Sequence, residues 1–385
     1  MRRQSKPGTI NIGEHPACSI KKKPEGPRRN HRLRRIVPRG LLTLALLSLC
    51  APSPAHCQPT YQANLAAASN RIASQQLPDG AILTDSTSID PYFANYAAIG
   101  WLNDTRVNRI PAVEAWIKWY IAHLNWPDSE GLRGTVYNYS YDPATHVETS
   151  TGAYDSADAN AATFLQLADA LWNTNDPSAQ ALIKTTIGEY NLNLTGNVIT
   201  GLQQPNGLVN AAPNYKVEYL MDNAEDWAGL QAFAHLASRV WNDTTAQNWY
   251  QAHASGIQSA IQSVLYIPAT RLYYPYAGST APDMATFYPD AVAQLWPGLE
   301  GVVTPAQAKI SYANFLNAWP GWTGLSFATE SSPYPWCAIS YAAYLAGDTP
   351  SINKYIATLH AKRVQLDPGE AGWFMRTNAA LAALH

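Results

Sequence analysis

The chain has 385 residues, enough for one large domain or two ordinary ones, and its 46% hydrophobic content is ample for a core. The first 57 residues hold 12 of the 26 Lys and Arg and 2 of the 28 Asp and Glu, which leaves 14 basic and 26 acidic residues in the rest. A body with a net charge of about −12 repels nucleic acid and anionic membranes, so we expect neither as a partner.

The N-terminal segment has the order of a secretory signal peptide. A basic run at 28–39 is followed by the apolar run GLLTLALLSLCA at 40–51 and by small-residue cleavage patterns at 53–55 and 55–57. The apolar run is too short to span a bilayer, although an uncleaved anchor is the alternative. We therefore predict a basic extension with a signal peptide at 1–57, cleaved near 55–58. A single domain at 58–385 would be secreted or periplasmic, monomeric and without stable membrane insertion.

Cysteine use agrees with this division. Cys18 and Cys50 would be removed, Cys57 lies at the predicted cut, and Cys337 belongs to the mature domain. This spacing gives neither a disulfide framework nor a cysteine-based metal site, so we predict no metal and no cofactor.

Six apolar helices each have an acidic residue at or just before the start. The best defined covers 154–172, YDSADANAATFLQLADALW, in which Asp155 and Asp158 are three residues apart and would share one helix face. The six helices begin near Asp90, Asp155, Asp222, Asp290, Glu330 and Glu370.

Six further helices alternate with these, at about 58–76, 107–124, 177–193, 245–265, 304–319 and 350–362. The links out of the acidic-started helices are short, whereas the links into them are long and rich in Gly, Pro, Tyr and Trp. This alternation predicts an all-α (α/α)6 toroid of six helical hairpins, in which the acidic-started helices form the inner ring. The long links would form an elaborated face with small β-hairpins at 135–151 and 197–210, opposite a plain face.

The elaborated face would gather carboxylates. Glycoside hydrolysis requires two, one protonated to donate to the leaving oxygen and one ionised. Asp is also a favoured N-cap, and capping alone is the alternative explanation. A helix start needs only one capping residue. A second carboxylate on the same helix face therefore favours a role beyond capping. The candidates are Asp85, Asp90, Asp155, Asp158, Asp222, Glu225, Asp226 and Asp290.

Aromatic composition favours a sugar ligand, because 13 Trp and 22 Tyr stand against 7 Phe. Such rings stack on the C–H faces of sugars, and their polar atoms bind hydroxyl groups. Packing between inner and outer helices is the alternative role. The candidate substrate-binding residues are Tyr92, Trp126, Tyr154, Glu225, Tyr288, Trp322, Tyr334, Trp336 and Trp373.

The twelve helices with acids at the inner-helix starts resemble the six-hairpin glycosidase superfamily. The segment DSADANAATFL is similar to family-8 glycoside hydrolases, which place an acid at the first inner helix and an aspartate on a later one. The first inner helix here lacks the Ser-Glu-Gly pattern of that family's acid. The segment MDNAE at 221–225 also resembles the unsaturated glucuronyl hydrolases of the same superfamily.

We predict a glycoside hydrolase that acts on a polysaccharide or oligosaccharide. Asp90 would be the general acid and Asp222 the base, with Asp290 in reserve, while Asp155 and Asp158 would orient the sugar. Arg133 and Arg376 could hold a carboxylate or order the acids, and ordinary surface ion pairs are their alternative role. A polysaccharide lyase or an unsaturated glucuronyl hydrolase on the same scaffold is one alternative function. A non-catalytic glycan-binding protein is another.

Overall fold

The computed structural model describes residues 54–329 and 334–384. Residues 1–53 of the predicted N-terminal segment and Glu330 lie outside these ranges, and the domain boundary at 57 remains a prediction. The α-helices are α1 (Pro54–Ala73), α2 (Pro91–Leu102), α3 (Ile110–Ala122), α4 (Ala157–Trp172), α5 (Pro177–Ala181), α6 (Gly188–Leu202), α7 (Leu220–Leu236), α8 (Thr244–Ala260), α9 (Trp296–Leu299), α10 (Pro305–Ala318), α11 (Ala338–Ala346), α12 (Thr349–Lys362) and α13 (Pro368–Ala382).

Wider, π-type turns modify several of these helices. One at Leu182–Ile187 joins α5 to α6, and two others extend α7 through Trp241 and α8 through Leu265. A fourth, at Phe287–Ala291, precedes α9. Among the described residues, no helix is both long and apolar enough to cross a membrane.

The helices form two concentric rings, which confirms the predicted (α/α)6 toroid. Around the inner ring α2, α4, α7, α9, α11 and α13 each pack against the next, and α13 returns to α2. The remaining helices pack outside them, so each outer helix is followed along the chain by an inner one. An inner helix such as α2 is buried on almost every side, which explains its nearly continuous apolar sequence.

Two short antiparallel sheets lie on the elaborated face. The first joins β1 (Ser88–Ile89), β2 (Tyr139–Asp142) and β3 (Val147–Ser150), with β2 in the middle. The second pairs β4 (Tyr266–Ile267) with β5 (Leu272–Tyr273), which the sequence did not predict. The hairpin expected within 135–151 is therefore confirmed.

Two predicted elements were wrong in detail. The hairpin expected at 197–210 is absent because α6 continues to Leu202 and buries Thr195, Ile199 and Leu202 at helical spacing. Within that segment a single bridge remains, between Gln203 and Val209. The inner helix expected from Asp290 is broken. Prolines at 289 and 297 cannot donate backbone hydrogen bonds there, and only the short α9 follows.

Candidate active site

The acidic helix starts converge at one end of the inner ring. Asp90 is the N-cap of α2, Asp155 lies two residues before α4, and Asp222 is in the first turn of α7. Asp290 lies in the wide turn that precedes α9. All four lie at the elaborated face, as the alternation of link lengths predicts. Asp290 accepts a hydrogen bond from the Asp283 backbone N–H (3.0 Å).

Asp90 is held on both carboxylate oxygens. Its Oδ1 accepts from the Tyr92 backbone N–H (3.0 Å) and its Oδ2 accepts from Asn138 Nδ2 (3.2 Å), in the link that precedes β2. The pKa of Asp90 is raised to about 6, mainly by burial and partly by the charge of Asp155, while these two hydrogen bonds oppose the rise. Asp90 can therefore carry a proton at mildly acidic pH.

Asp222 has a similar environment and also lies near Asp155. Its Oδ2 accepts a hydrogen bond from Ser156 Oγ (2.9 Å). Burial raises its pKa to about 6, the Ser156 hydrogen bond lowers it, and the charge of Asp155 raises it. Asp155 itself is exposed. Three inner helices thus bring Asp90, Asp155 and Asp222 together, and we call this group the acidic cleft.

Asp158 lies beneath the acidic cleft, which corrects its predicted role. The sequence predicts that Asp158 orients a sugar, but its side chain is fully buried. Its Oδ1 contacts Ser156 Oγ and accepts from the Ala159 backbone N–H (2.7 Å). Burial, and then the charge of the neighbouring Asp158, raise the pKa of the equally buried Asp226 well above its usual value, and neither oxygen of Asp226 has a hydrogen-bond partner among the described residues. Two neighbouring carboxyl groups in a buried site are not readily ionised together.

Glu225 is also buried, so its predicted contact with substrate is not possible in this structure. Its Oε1 accepts three hydrogen bonds, from Tyr92 OH (2.8 Å), Tyr96 OH (2.7 Å) and Trp296 Nε1 (2.7 Å). Burial raises the pKa of Glu225 well above its usual value, and the neighbouring Glu300 adds to the shift. Glu225 therefore links α2, α7 and α9 below the acidic cleft.

Aromatic side chains stand beside the acidic cleft. Tyr288 is 55% exposed and lies 5.4 Å from Trp336, ring centroid to ring centroid, and Tyr334 packs on the same Trp336. Burial is the main cause of the raised pKa of Tyr288, and the charges of Asp222 and Asp155, which lie near its hydroxyl, raise it as well. These three predicted aromatic residues therefore form one wall.

Sequence reasoning missed a second group of tyrosines. Tyr219 is the N-cap residue of α7, three residues before Asp222, and its hydroxyl lies 2.7 Å from that of Tyr215. Tyr215 is 48% exposed, and Tyr276 packs edge-on against Tyr219. Their position in long links next to an acidic helix start could have identified these tyrosines from the sequence.

Other predicted aromatic residues have different surroundings. Trp322 is fully buried against Tyr355 and Trp373 is buried against Tyr96, so neither presents a free face to a sugar. The Tyr92 hydroxyl donates its hydrogen bond to Glu225. Two remaining residues make contacts in the link between α3 and α4: Tyr154 OH donates to Asp128 (3.0 Å), and exposed Trp126 lies under Arg133 and near Tyr190.

In the described part of the chain, no group of three or more His, Cys, Asp or Glu side chains is arranged to hold a metal ion. The acidic cleft places carboxyl groups with raised pKa values beside exposed aromatic rings, and such carboxyl groups can transfer protons.

No protein-family model and no curated protein matches the sequence. Among solved structures, a wild-type glycosidase is similar with a TM-score of 0.57 at 11% identity, covering 85% of this chain and 97% of that one. A variant of Rex8A from Paenibacillus barcinonensis complexed with xylose gives 0.54 at 12% identity, covering 84% and 93%. A rhamnosidase from Klebsiella oxytoca with rhamnose bound gives 0.50 at 16% identity, covering 72% and 49%. The chain therefore has a six-hairpin, glycosidase-like (α/α)6 fold.

Proposed function

We propose that the protein is a glycoside hydrolase that cleaves an oligosaccharide or polysaccharide in the acidic cleft. One observation carries the proposal: Asp90 and Asp222, on separate inner helices, both have a pKa raised to about 6, and the exposed Asp155 lies near both. Carboxyl groups shifted toward the working pH by burial and by a like charge are typical of general acid and base pairs.

In the proposed reaction Asp90 is protonated and Asp222 is ionised. Asp90 donates its proton to the glycosidic oxygen as the bond from that oxygen to the anomeric carbon breaks. A water molecule attacks the anomeric carbon and gives its proton to Asp222, which Ser156 holds in position. Asp155 contacts the sugar at the cleavage point, and Tyr288, Tyr215 and Tyr276 offer rings on which neighbouring sugar units stack.

Two features support this choice over the alternatives. A lyase would need a tyrosine or histidine base, yet burial and the neighbouring carboxylates raise the pKa of Tyr92 well above its usual value and that of Tyr288 to about 12. A non-catalytic glycan-binding protein would keep the aromatic walls but would not need two carboxyl groups with a pKa near 6. The likeness to solved glycosidases supports the same class.

Turnover of cleft variants tests the proposal. The full chain would be screened on a panel of polysaccharides, with reducing ends and the absorbance of unsaturated ends measured together. We expect Asp90→Asn and Asp222→Asn each to lower the rate by a factor of about 10² to 10⁴, the usual contribution of a general acid or base.

The matched control is Asp243→Asn, because Asp243 caps the outer helix α8 through the Thr245 and Ala246 backbone N–H groups. Asn caps a helix about as well as Asp, so Asp90→Asn and Asp243→Asn should keep the parent stability within about 1 kcal/mol. Asp222 caps no helix, but Asn at this position keeps the shape and can still accept from Ser156, so we expect the same limit for Asp222→Asn. Full activity in both cleft variants, or unsaturated ends without hydrolysis, would refute the assignment.

We also propose that the protein is exported. The basic run, the apolar run and the small-residue sites support cleavage near 55–58. N-terminal sequencing of the secreted or periplasmic protein should find a first residue between 56 and 59, and recovery of the intact N-terminus in a membrane fraction would contradict it.

A further inference from the structure

The sheet of β1, β2 and β3 places one side chain directly beside Asp90. Ile89 of β1 pairs with Tyr139 of β2. The next residue, Asp90, is still extended (φ −113°, ψ 112°), so the same register puts Asn138 opposite it. Opposite residues on neighbouring antiparallel strands direct their side chains to the same face. The hydrogen bond from Asn138 Nδ2 to Asp90 Oδ2 therefore follows from the pairing of β1 with β2.

The backbone of Asn138 is fixed from the other side of the sheet. Its N–H donates to the Ala153 carbonyl oxygen (2.8 Å), and its carbonyl oxygen accepts from the Thr151 N–H (2.9 Å) and from Thr151 Oγ1 (2.8 Å). Ala153 lies two residues before Asp155. Asn138 thus connects the segment that carries Asp155 to the side chain of Asp90, so it helps to set the spacing of two carboxyl groups in the acidic cleft.

The two hydrogen bonds of the Asp90 carboxyl group have different effects. Oδ1 accepts from the Tyr92 backbone N–H and so caps α2, whereas Oδ2 accepts from Asn138. The cap alone would leave the carboxyl group free to rotate about its terminal bond, because such torsions have broad preferences. Hydrogen bonds at both oxygens fix the plane of the group. Among the described residues, Asn138 is the one side chain that donates to Asp90.

The amide group of Asn138 uses its donor and leaves its acceptor unpaired. Its Oδ1 is buried and has no hydrogen-bond partner within the described part of the chain. A buried acceptor without a donor is unfavourable, so the amide is not placed here for its own hydrogen bonding. Exceptions of this kind are expected at functional sites, where a side chain serves a neighbouring group.

We propose that Asn138 is a positioning residue of the acidic cleft, which fixes the plane of the Asp90 carboxyl group and its spacing from Asp155. The proton of Asp90 is thereby directed at the glycosidic oxygen, and Asn138 itself contacts no reacting atom. Catalytic groups need to be held to within about 0.5 Å by such supporting hydrogen bonds. The role in turnover rests on the proposed function, whereas the contact between Asn138 and Asp90 can be tested without a substrate.

The carboxyl carbon signal of Asp90 tests the contact in the free protein. The full chain with isotope-labelled aspartate would be titrated by NMR, and Asp90→Asn identifies the signal. Asn138→Leu keeps about the same volume and removes the donor, while the charge of Asp155 still acts on Asp90. Because the donor stabilises ionised Asp90, its loss should raise the pKa of Asp90 by about one to two units.

A second variant keeps this test informative if Asn138→Leu fails to fold. Asn138→Asp has nearly the same shape, but it replaces the donor by a carboxyl group beside Asp90. A like charge at this distance disfavours the ionised form, so the pKa of Asp90 should again rise.

Turnover tests the positioning role. The proposed acid must be protonated, so the rate falls as the pH rises through the pKa of Asp90. In Asn138→Leu this basic limb of kcat/KM against pH should move upward by the amount seen in the carbon signal. At the optimal pH, kcat should fall about tenfold or more because the acid is misplaced, and KM should change little because Asn138 does not contact the substrate.

Ser140→Ala is the matched control, two residues further along β2. It removes a side-chain hydrogen bond to the Thr149 carbonyl oxygen (3.3 Å) and should keep the parent carbon signal and pH profile. An Asp90 signal with the parent pKa in both Asn138 variants would overturn the inference. So would a shifted signal with an unchanged kcat and basic limb. Absence of turnover in the parent protein would refute the hydrolase assignment instead, and the carbon signal would still decide whether Asn138 acts on Asp90.

Discussion

At the scale of single residues, Ser156 controls how the acidic cleft is protonated. Its one hydroxyl proton lies between Asp158 and Asp222, so it can be donated to only one of them. Burial raises the pKa of Asp158 well above its usual value, and the charge of Asp222 raises it further. We therefore expect Asp158 to hold a proton and to donate it to Ser156 Oγ, which leaves the Ser156 hydroxyl proton for Asp222.

Removing that hydroxyl should shift the pH dependence of the reaction. Ser156→Ala deletes the donor that stabilises ionised Asp222, and a hydrogen bond to a charged group is worth about 1.5–3 kcal/mol. The pKa of Asp222 should rise by about one to two units. The acidic limb of kcat/KM against pH, along which the base ionises, should move to higher pH by the same amount.

Two features make this variant interpretable. Ser156 stands at the N-cap of α4 without a side-chain cap hydrogen bond, so no cap is lost. Ser156→Thr keeps the hydroxyl and should retain the parent profile. An equal fall in rate at all pH values, with the acidic limb of the profile unchanged, would contradict the hydrogen-bond chain from Asp158 through Ser156 to Asp222.

At the scale of elements, the sequence predicted what depends on local physics. Capping aspartates and the lengths of links are local properties, and they indicated the inner ring and the face that carries the acids. The depth of each acid could not be predicted in this way. Asp155 and Asp158 are three residues apart, but α4 begins at Ala157, so Asp155 lies outside the helix and is exposed while Asp158 is buried.

Long-range packing explains the other misses. Tyr215 and Tyr219 contact each other in the link between α6 and α7, and a β-bridge joins Tyr219 to Tyr276. That bridge connects distant parts of the chain, so the local sequence does not indicate it. The Trp322 ring is at the start of a short helical turn, and only the tertiary structure shows that Tyr355 of α12 covers it.

Close approach of α2 and α13 gives a test of the ring itself. A Cβ on Gly372 would lie 2.1 Å from the Tyr96 carbonyl oxygen, and one on Gly100 would lie 2.5 Å from Gly372 Cα. Alanine has a higher helix propensity than glycine by about 1 kcal/mol. Even so, Gly372→Ala should lower the free energy of unfolding by about 1–3 kcal/mol because the two backbones must separate.

The control for this change is Gly201→Ala, in α6. A Cβ there meets only Leu132 Cδ2, at 3.8 Å, so the helix propensity acts alone and stability should be kept or slightly raised. Chemical denaturation of both variants measures the difference. Equal stability for the two would contradict the tight contact between α2 and α13.

At the scale of the whole molecule, the inner ring encloses many carboxyl groups. Burial is the largest cause of the raised pKa at each, and the carboxyl groups around Asp158 and Glu225 raise one another further. Glu370, at the start of α13, has a pKa raised to about 8 by burial and by the charge of Asp367, while it accepts a hydrogen bond from the Cys337 backbone N–H. At pH values between the unfolded and the folded pKa of these groups, the folded protein therefore holds protons that the unfolded chain has released.

This excess of bound protons fixes the sign of the pH dependence of stability. Where the folded state binds more protons than the unfolded state, the free energy of unfolding falls as the pH rises, by about 1.4 kcal/mol per pH unit for each such group. For Asp90 and Asp222 the fall lies between the unfolded pKa near 4 and the folded pKa of about 6. For Glu370 it continues to about 8. We expect the melting temperature to be highest in mild acid and to fall from pH 5 to pH 8.

Glu370→Gln tests whether Glu370 causes the upper part of that fall. Glutamine stays neutral at every pH, and its carbonyl oxygen can still accept from Cys337. The variant should therefore lose less stability between pH 6 and pH 8 than the parent, by about 1.4 kcal/mol per pH unit. Glu130→Gln, at an exposed position, is the matched control and should keep the parent slope. Urea denaturation at several pH values gives the slopes. A parent protein that becomes more stable from pH 5 to pH 8 would mean that these carboxyl groups are ionised in the fold, because only depressed pKa values give that sign.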